Sequence, residues 1–307
     1  MTRLTARDFS PELLALYDGY AHGRLSKREF LDRAGRFAVG AMTAPAILAA
    51  LSPNYALAQQ VEFTDPAILP EYVTYPSPEG HGEVRAYMVR PAAPDEGAQP
   101  APEAAGAGPF PAVVVVHENR GLNPYIEDVA RRLAKAGFLA LAPDGLSSVG
   151  GYPGNDPEGR ALQEGVDPER LMNDFFAAVD WLRGHELSTG AVGITGFCYG
   201  GGVANAAAVA IPELRAAVPF YGRQPDPADV PRIEAPLLLH YAETDERVNE
   251  GWPAYEAALK EHGKAYEAHV YPGTNHGFHN DSTPRYDREA AELAWSRTLD
   301  WFGRYLS

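Results

Sequence analysis

Ala191-Val192-Gly193-Ile194-Thr195-Gly196-Phe197-Cys198-Tyr199-Gly200-Gly201-Gly202 runs from a short apolar strand into a glycine-flanked residue. An alanine-rich segment with the composition of a helix follows, Val203 to Ala210. The pattern is G-x-C-x-G, a nucleophile elbow with cysteine in place of serine. In so tight a turn, Cβ atoms two positions either side of the nucleophile collide, hence Gly196 and Gly200. The following helix directs its unpaired N–H groups and dipole at the sulfur, where they stabilise a thiolate or an oxyanion. The competing reading is a glycine-rich strand-to-helix turn around a buried structural cysteine, a common fate for that residue. The rest of the chain decides between the two.

The 307 residues suffice for one large domain or two small ones, and the formal net charge is −15. That charge and the lack of a basic patch argue against a nucleic-acid partner. Cys198 is the only cysteine, which excludes an intramolecular disulfide and a multi-cysteine metal site.

Residues 1–60 differ in character from the remainder, which forms a catalytic domain over 61–307. Ser10-Pro11-Glu12, ahead of Leu13, Leu14, Leu16 and Tyr17, predicts a short capped helix. Ser26-Lys27-Arg28-Glu29-Phe30-Leu31 resembles a twin-arginine export signal with lysine in the first basic position. A small-residue apolar stretch, Phe37 to Leu51, leads to Ala56-Leu57-Ala58, an A-x-A-type cleavage site. That stretch is too short for a stable membrane span. The expectation is export to the periplasm or beyond. The alternative is a cytoplasmic protein whose N-terminal extension stays attached and packs on the domain.

Within the domain, Glu71–Tyr75 and Glu83–Arg90 alternate as a half-buried hairpin does, and Pro91 to Pro111 reads as a long loop. Ala112 to Val116 is a β-branched run, the mark of a strand buried on both faces of a parallel sheet. Helices are predicted over Tyr125–Ala136, from Asp167, near Trp252–His262 and from about Tyr286 to Tyr305; strands over Phe138–Ala142, Ala216–Phe220, Pro236–Tyr241 and Tyr266–Tyr271. Such alternation implies an α/β fold with a mostly parallel sheet covered by helices.

In sheets of this kind the site lies at the carboxyl ends of the strands, and the expected order is nucleophile, acid, base. Asp245 follows the strand-like Leu237–Tyr241, with Glu243 as competitor. After it, only His276 and His279 lie in a loop behind a strand; His276 is the candidate base, and His279 reads as a solvent-facing loop residue. His276 would accept the thiol proton, and Asp245 would fix the imidazole tautomer. Two backbone N–H groups must hold the oxyanion: Tyr199 supplies one, and Asn119, in His117-Glu118-Asn119-Arg120-Gly121 after the valine strand, is the candidate for the other.

From about Val61 to Leu306 the sequence resembles the dienelactone hydrolase family (carboxymethylenebutenolidases) of α/β-hydrolases. The motifs that carry it are Val116-His117-Glu118-Asn119-Arg120-Gly121, Ala142-Pro143-Asp144, Gly196-Phe197-Cys198-Tyr199-Gly200-Gly201 and His276-Gly277-Phe278. The resemblance implies an α/β-hydrolase fold, with a mostly parallel central sheet and helices on both faces. It implies hydrolysis of small esters or lactones through a Cys198–His276–Asp245 triad and a thioester, with no metal or organic cofactor. It also implies that Glu118 contacts the resting Cys198 thiol and swings away when substrate binds; from the residues alone Glu118 is an exposed loop residue or a partner of Arg120. Family members that cleave dienelactone hold its carboxylate with two arginines, one of them four residues after the catalytic histidine. Here that position is Asn280. Arg160 lies in roughly the segment of the other arginine, and Arg120 lies near the mouth of the site. The rival readings are a general carboxylesterase or thioesterase without lactone preference, and a non-catalytic binding module, which would require the loss of a triad residue.

Overall fold

The computed structural model describes residues 4–38, 43–92 and 108–307. Ser10 caps α1 (Pro11–Ala21) by accepting from the Leu13 N–H, with proline in the first turn as predicted. Ser26 and Glu29 form a reciprocal capping box on α2 (Lys27–Ala34), so the signal-like stretch is the opening turn of a folded helix. Thr43 caps α3 (Ala44–Leu51); residues 39–42 of the apolar stretch lie outside the described residues. The three helices share a small core in which Phe30, Ala34, Ile47 and Leu51 are fully buried against Tyr17 and Tyr20.

The hairpin of β1 (Ile68–Ser77) and β2 (Gly82–Pro91) brackets both predicted alternations. The predicted Pro91–Pro111 loop lies largely outside the described residues, at 93–107. Next come β3 (Phe110–Val116), α4 (Pro124–Lys135), β4 (Leu139–Pro143), α5 (Asp156–Glu164) and α6 (Pro168–Arg183). Then follow β5 (Ser188–Phe197), α7 (Tyr199–Ala210), β6 (Ala216–Phe220), β7 (Leu237–Ala242) and the short α8 (Glu246–Asn249). The chain closes with α9 (Trp252–Glu261), β8 (Tyr266–Tyr271) and α10 (Arg288–Tyr305). Helix α5 has no counterpart in the sequence reading, because Asp156-Pro-Glu-Gly-Arg-Ala-Leu-Gln-Glu164 carries too few apolar residues to show a periodic face.

The eight strands form one sheet in the order β1-β2-β4-β3-β5-β6-β7-β8. Pairing is antiparallel from β1 to β4 and parallel from there to β8. Successive side chains of β3 point to opposite faces, and both faces are apolar. Val114 and Val116 pack with Phe175 of α6, Val203 of α7 and Leu259 of α9. Val113 and Val115 pack with Val129 of α4 and Phe302 of α10. This is the α/β-hydrolase architecture. No helix among the described residues is long and apolar enough to cross a membrane.

The N-terminal helices hold their own small core and meet the hydrolase body through polar contacts. Asn54 N–H donates to the Ser282 carbonyl at 2.7 Å, Tyr55 Oη donates to Asp156 at 2.7 Å, and the Val61 N–H donates to Asp128 at 2.9 Å. Emptying that small core should therefore loosen the segment without unfolding the sheet. Removing a buried phenylalanine costs about 3–5 kcal/mol. Phe30→Ala is expected to speed tryptic cleavage at Lys27 and Arg28 by about tenfold or more while the main unfolding transition shifts by only a few degrees. Limited proteolysis with a parallel thermal melt checks this.

Candidate active site

β5 ends at Phe197 and α7 begins at Tyr199, leaving Cys198 alone at the bend with φ 57° and ψ −110°. That conformation is uncommon for a residue with a side chain. A Cβ on Gly196 would lie 2.1 Å from the Gly200 carbonyl oxygen. A Cβ on Gly200 would lie 2.3 Å from the carbonyl oxygen of Val116, at the end of β3. The second glycine therefore lets the loop after β3, which carries Glu118 and Asn119, abut the nucleophile turn. Cys198 is buried at the foot of a cleft of about 430 Å³, and both oxyanion candidates, Tyr199 and Asn119, line it.

Asp245 sits three residues past β7 and His276 five past β8, both at the carboxyl edge of the sheet. His276 Nδ1 and Asp245 Oδ2 are 2.5 Å apart. Asp245 starts α8 without spending its carboxylate on the helix cap, which leaves that group for the imidazole. Burial opposes ionisation of Asp245, but the charge and hydrogen bond of His276, with Arg247 nearby, hold its pKa below the usual carboxylate value. His276 Nε2 is buried and has no hydrogen-bond partner. A ring nitrogen of His276 lies within 4.8 Å of Cys198 Sγ.

The two competitors are occupied elsewhere. Glu243 accepts from the Gly273 N–H at 2.8 Å and braces a turn. His279 is not the solvent-facing residue expected from the sequence. It is buried, stacks on Phe197 at 5.2 Å and has Nδ1 2.7 Å from the Tyr125 hydroxyl. Burial holds it well below the ordinary imidazole range. Its neighbours come from β5, β6 and α4, so its burial is a product of the fold.

The loop candidates are also placed differently from expectation. Glu118 is buried; it accepts from Asn280 Nδ2 at 3.0 Å and lies 3.8 Å from Arg120 Nε. The hydrogen bond of Cys198 Sγ goes to another group, His22 Nε2. A buried carboxylate takes the donors nearest to it. Asn280, at the position where the resemblance calls for arginine, is such a donor. Its own oxygen accepts from the Ser282 N–H at 3.0 Å. Arg120 pairs with Asp156 at 2.8 Å, and Arg160 donates to the Tyr20 carbonyl. These two arginines line a separate hollow of about 260 Å³. Arg223 and Arg247 line the Cys198 cleft instead. The signal for Arg247 was its place two residues after Asp245.

His22, just past the end of α1, reaches Cys198 Sγ at 3.3 Å through Nε2. Its Nδ1 lies 2.8 Å from the Asp18 carbonyl oxygen and 3.0 Å from Asp18 Oδ1. The Asp18 carboxylate is 2.7 Å from Arg24 and 3.6 Å from Arg285. Sequence reasoning missed this pair; the available signal was the i, i+4 Asp–His spacing at a helix end. His22, Cys198 and His276 are the one His/Cys/acid trio grouped closely enough to suggest a metal among the described residues.

Residues 98–306 match the family model described as the dienelactone hydrolase family, and residues 1–39 match a separate one described as YqhI-like. The chain is 68% identical over 127 residues to the Escherichia coli K12 protein named "Putative hydrolase fragment YghX", covering 41% of this chain and 98% of that one. It is 35% identical over 239 residues to a "Putative carboxymethylenebutenolidase" of Methylorubrum extorquens, covering 73% of this chain and 81% of the relative. The crystal structure titled as a putative dienelactone hydrolase of Klebsiella pneumoniae superposes with a TM-score of 0.65 at 29% identity, over 78% of this chain and all of that one. The elbow, the strand order and the family match agree: the chain belongs to the dienelactone hydrolase family and is a carboxylic ester hydrolase.

Proposed function

We propose that the protein hydrolyses small esters and lactones through a thioester on Cys198, with His276 and Asp245 completing a triad. The observation that carries this reading is the His276 ring: Asp245 holds its Nδ1, and its buried Nε2 is unpartnered beside the elbow cysteine. Sγ attacks the substrate carbonyl carbon as its proton passes to a histidine of the site, and the carbonyl oxygen becomes an oxyanion facing the N–H groups of Tyr199 and Asn119. Collapse expels the alkoxide, which takes the proton and leaves an acyl thioester. Water then gives a proton to His276 Nε2, adds to the thioester carbonyl and displaces the thiolate. With a lactone, the expelled alkoxide stays tethered and the product is a hydroxy acid. A general carboxylesterase would use the same steps.

Cys198→Ala is expected to lower kcat/KM on an activated aryl ester by about a thousandfold or more, because no other side chain occupies the elbow. Cys198→Ser is expected to keep slight activity. An alanine variant within about tenfold of wild type would refute the assignment.

Substrate charge should matter little. The buried Arg120 and the half-buried Arg160 are already engaged by Asp156 and the Tyr20 carbonyl, and Asn280 holds Glu118. Arg223 and Arg247, in the cleft, are exposed and screened by solvent. A lactone bearing a carboxylate and its methyl ester are expected to differ in kcat/KM by less than about a hundredfold, roughly 2.7 kcal/mol. A larger preference for the anion would mean that a buried cation reaches the substrate.

We also infer that residues 1–60 form an extension that stays attached to the catalytic domain over 61–307 and is not removed as an export signal. The capping box on α2 and the buried Phe30 favour this. Intact mass of the protein from its native host should show the unprocessed chain; a form beginning near Gln59 would favour export.

A further inference from the structure

We infer that α1 is part of the active site and that His22, oriented by Asp18, is a catalytic residue that receives the proton of the resting Cys198 thiol. The inference rests on Cys198 being the nucleophile. It is carried by one arrangement: a second Asp–His pair on the same sulfur, supplied by a segment that precedes the hydrolase body. Nε2 of His22 is 3.3 Å from Sγ, and the opposite nitrogen is 2.8 Å from the Asp18 carbonyl oxygen and 3.0 Å from its carboxylate. As at His276, a carboxylate lies beside the far ring nitrogen, here with a backbone carbonyl as the nearer acceptor, and the two imidazoles meet edge to face with centroids 4.7 Å apart.

Three further observations assign the pair a chemical role. Glu118 is committed to Asn280 and Arg120, so the place beside the resting thiol belongs to His22. The cleft over Cys198 stays open with α1 docked, and His22 stands in its wall with Tyr199 and Asn119; α1 is a wall of the site and not a stopper. His276 faces a different hollow, with Asp18, Asp245, Arg247 and Arg285. His22 thus stands where an entering ester would meet Cys198.

The electrostatics agree with this role. Burial opposes the charged form of His22, but the neighbouring sulfur and the hydrogen bond that its ring donates to Asp18 outweigh it and raise its pKa, against His276. Burial likewise opposes ionisation of Asp18, and His22, His276 and Arg285 overcome it to hold the carboxylate well below its usual range. The other charged group against His22 is Arg247, with Nη2 3.5 Å from Nε2.

The proton on Sγ passes to His22 Nε2, giving a thiolate beside an imidazolium whose charge Asp18 balances. The thiolate adds to the ester carbonyl, and the departing alkoxide takes the proton back from His22 Nε2. His276 is left to accept the proton of the hydrolytic water. Two bases thus divide the transfers that a single-histidine triad performs alone.

The test uses full-length protein and the variants His22→Gln and Asp18→Asn, with thermal melts to confirm folding. Iodoacetamide alkylation of Cys198 is followed from pH 5 to 9 beside kcat/KM on an aryl ester. His22→Gln is expected to slow alkylation about tenfold at pH 6.5, to converge on wild type near pH 9, and to move the profile upward. Its kcat/KM should fall about a hundredfold. Asp18→Asn should move both readouts the same way by less. If His22→Gln alkylates and turns over like wild type, His22 is a bystander; if it is faster in both, α1 obstructs the site. Either result overturns the inference. If His22→Gln fails to fold, free imidazole added to His22→Ala should restore the alkylation rate, and absence of rescue counts against the inference. Full turnover by Cys198→Ala would instead overturn the nucleophile assignment beneath it.

Discussion

A backbone contact with no room for a side chain governs this site. Gly196 and Gly200 close around Cys198 so tightly that a single methyl at either position would run into a carbonyl oxygen at 2.1 or 2.3 Å. Because that contact holds, Cys198 stands at positive φ, the first turn of α7 lies beneath it, and the end of β3 presses against its far side. Cys198, the N–H of Tyr199 and the Asn119 loop are all positioned by this close approach. Hydrogen bonding adds little to it, and the parallel pairing of β3, β5 and β6 supplies the rigid frame in which the strain is tolerated.

Around the elbow, the placement of charge follows from burial. A buried ion is costly unless it is paired, so the buried charged side chains near the site take partners. Arg120 is paired with Asp156, Glu118 is held by Asn280, and Asp245 is held by His276. The cations left facing the cleft are those that remain in contact with water, Arg223 and Arg247. Asn280 supplies a neutral donor to Glu118, and the sulfur has its hydrogen bond with His22.

That partner comes from the N-terminal helices. Their attachment to the body is polar, through Asn54, Tyr55 and the backbone beside Asp128, and their apolar residues are used among themselves. A segment held in this way can be positioned accurately without merging into the main core. Asn119 Nδ2 donates to the carbonyl of Ala21 at 3.1 Å, so the residue next to His22 is fixed by the loop that follows β3. Segment and site are therefore coupled through the same few residues.

Much of this was legible in the chain itself. The G-x-C-x-G pattern, the valine run of β3 and the order of Asp245 and His276 after their strands are local features, each set by spacing or periodicity within a dozen residues. They determine the sheet, the elbow and the triad candidates. What the sequence did not reveal depends on meetings between distant segments. His22 and Cys198 are 176 positions apart, and Glu118 and Asn280 are 162 apart. His279 reads as a loop residue until β5, β6 and α4 close around it. Periodicity and spacing record how a residue relates to its own element, whereas the partner of a buried polar group is chosen by whichever donor or acceptor the packing of other elements brings within about 3 Å. Only the tertiary structure makes that choice.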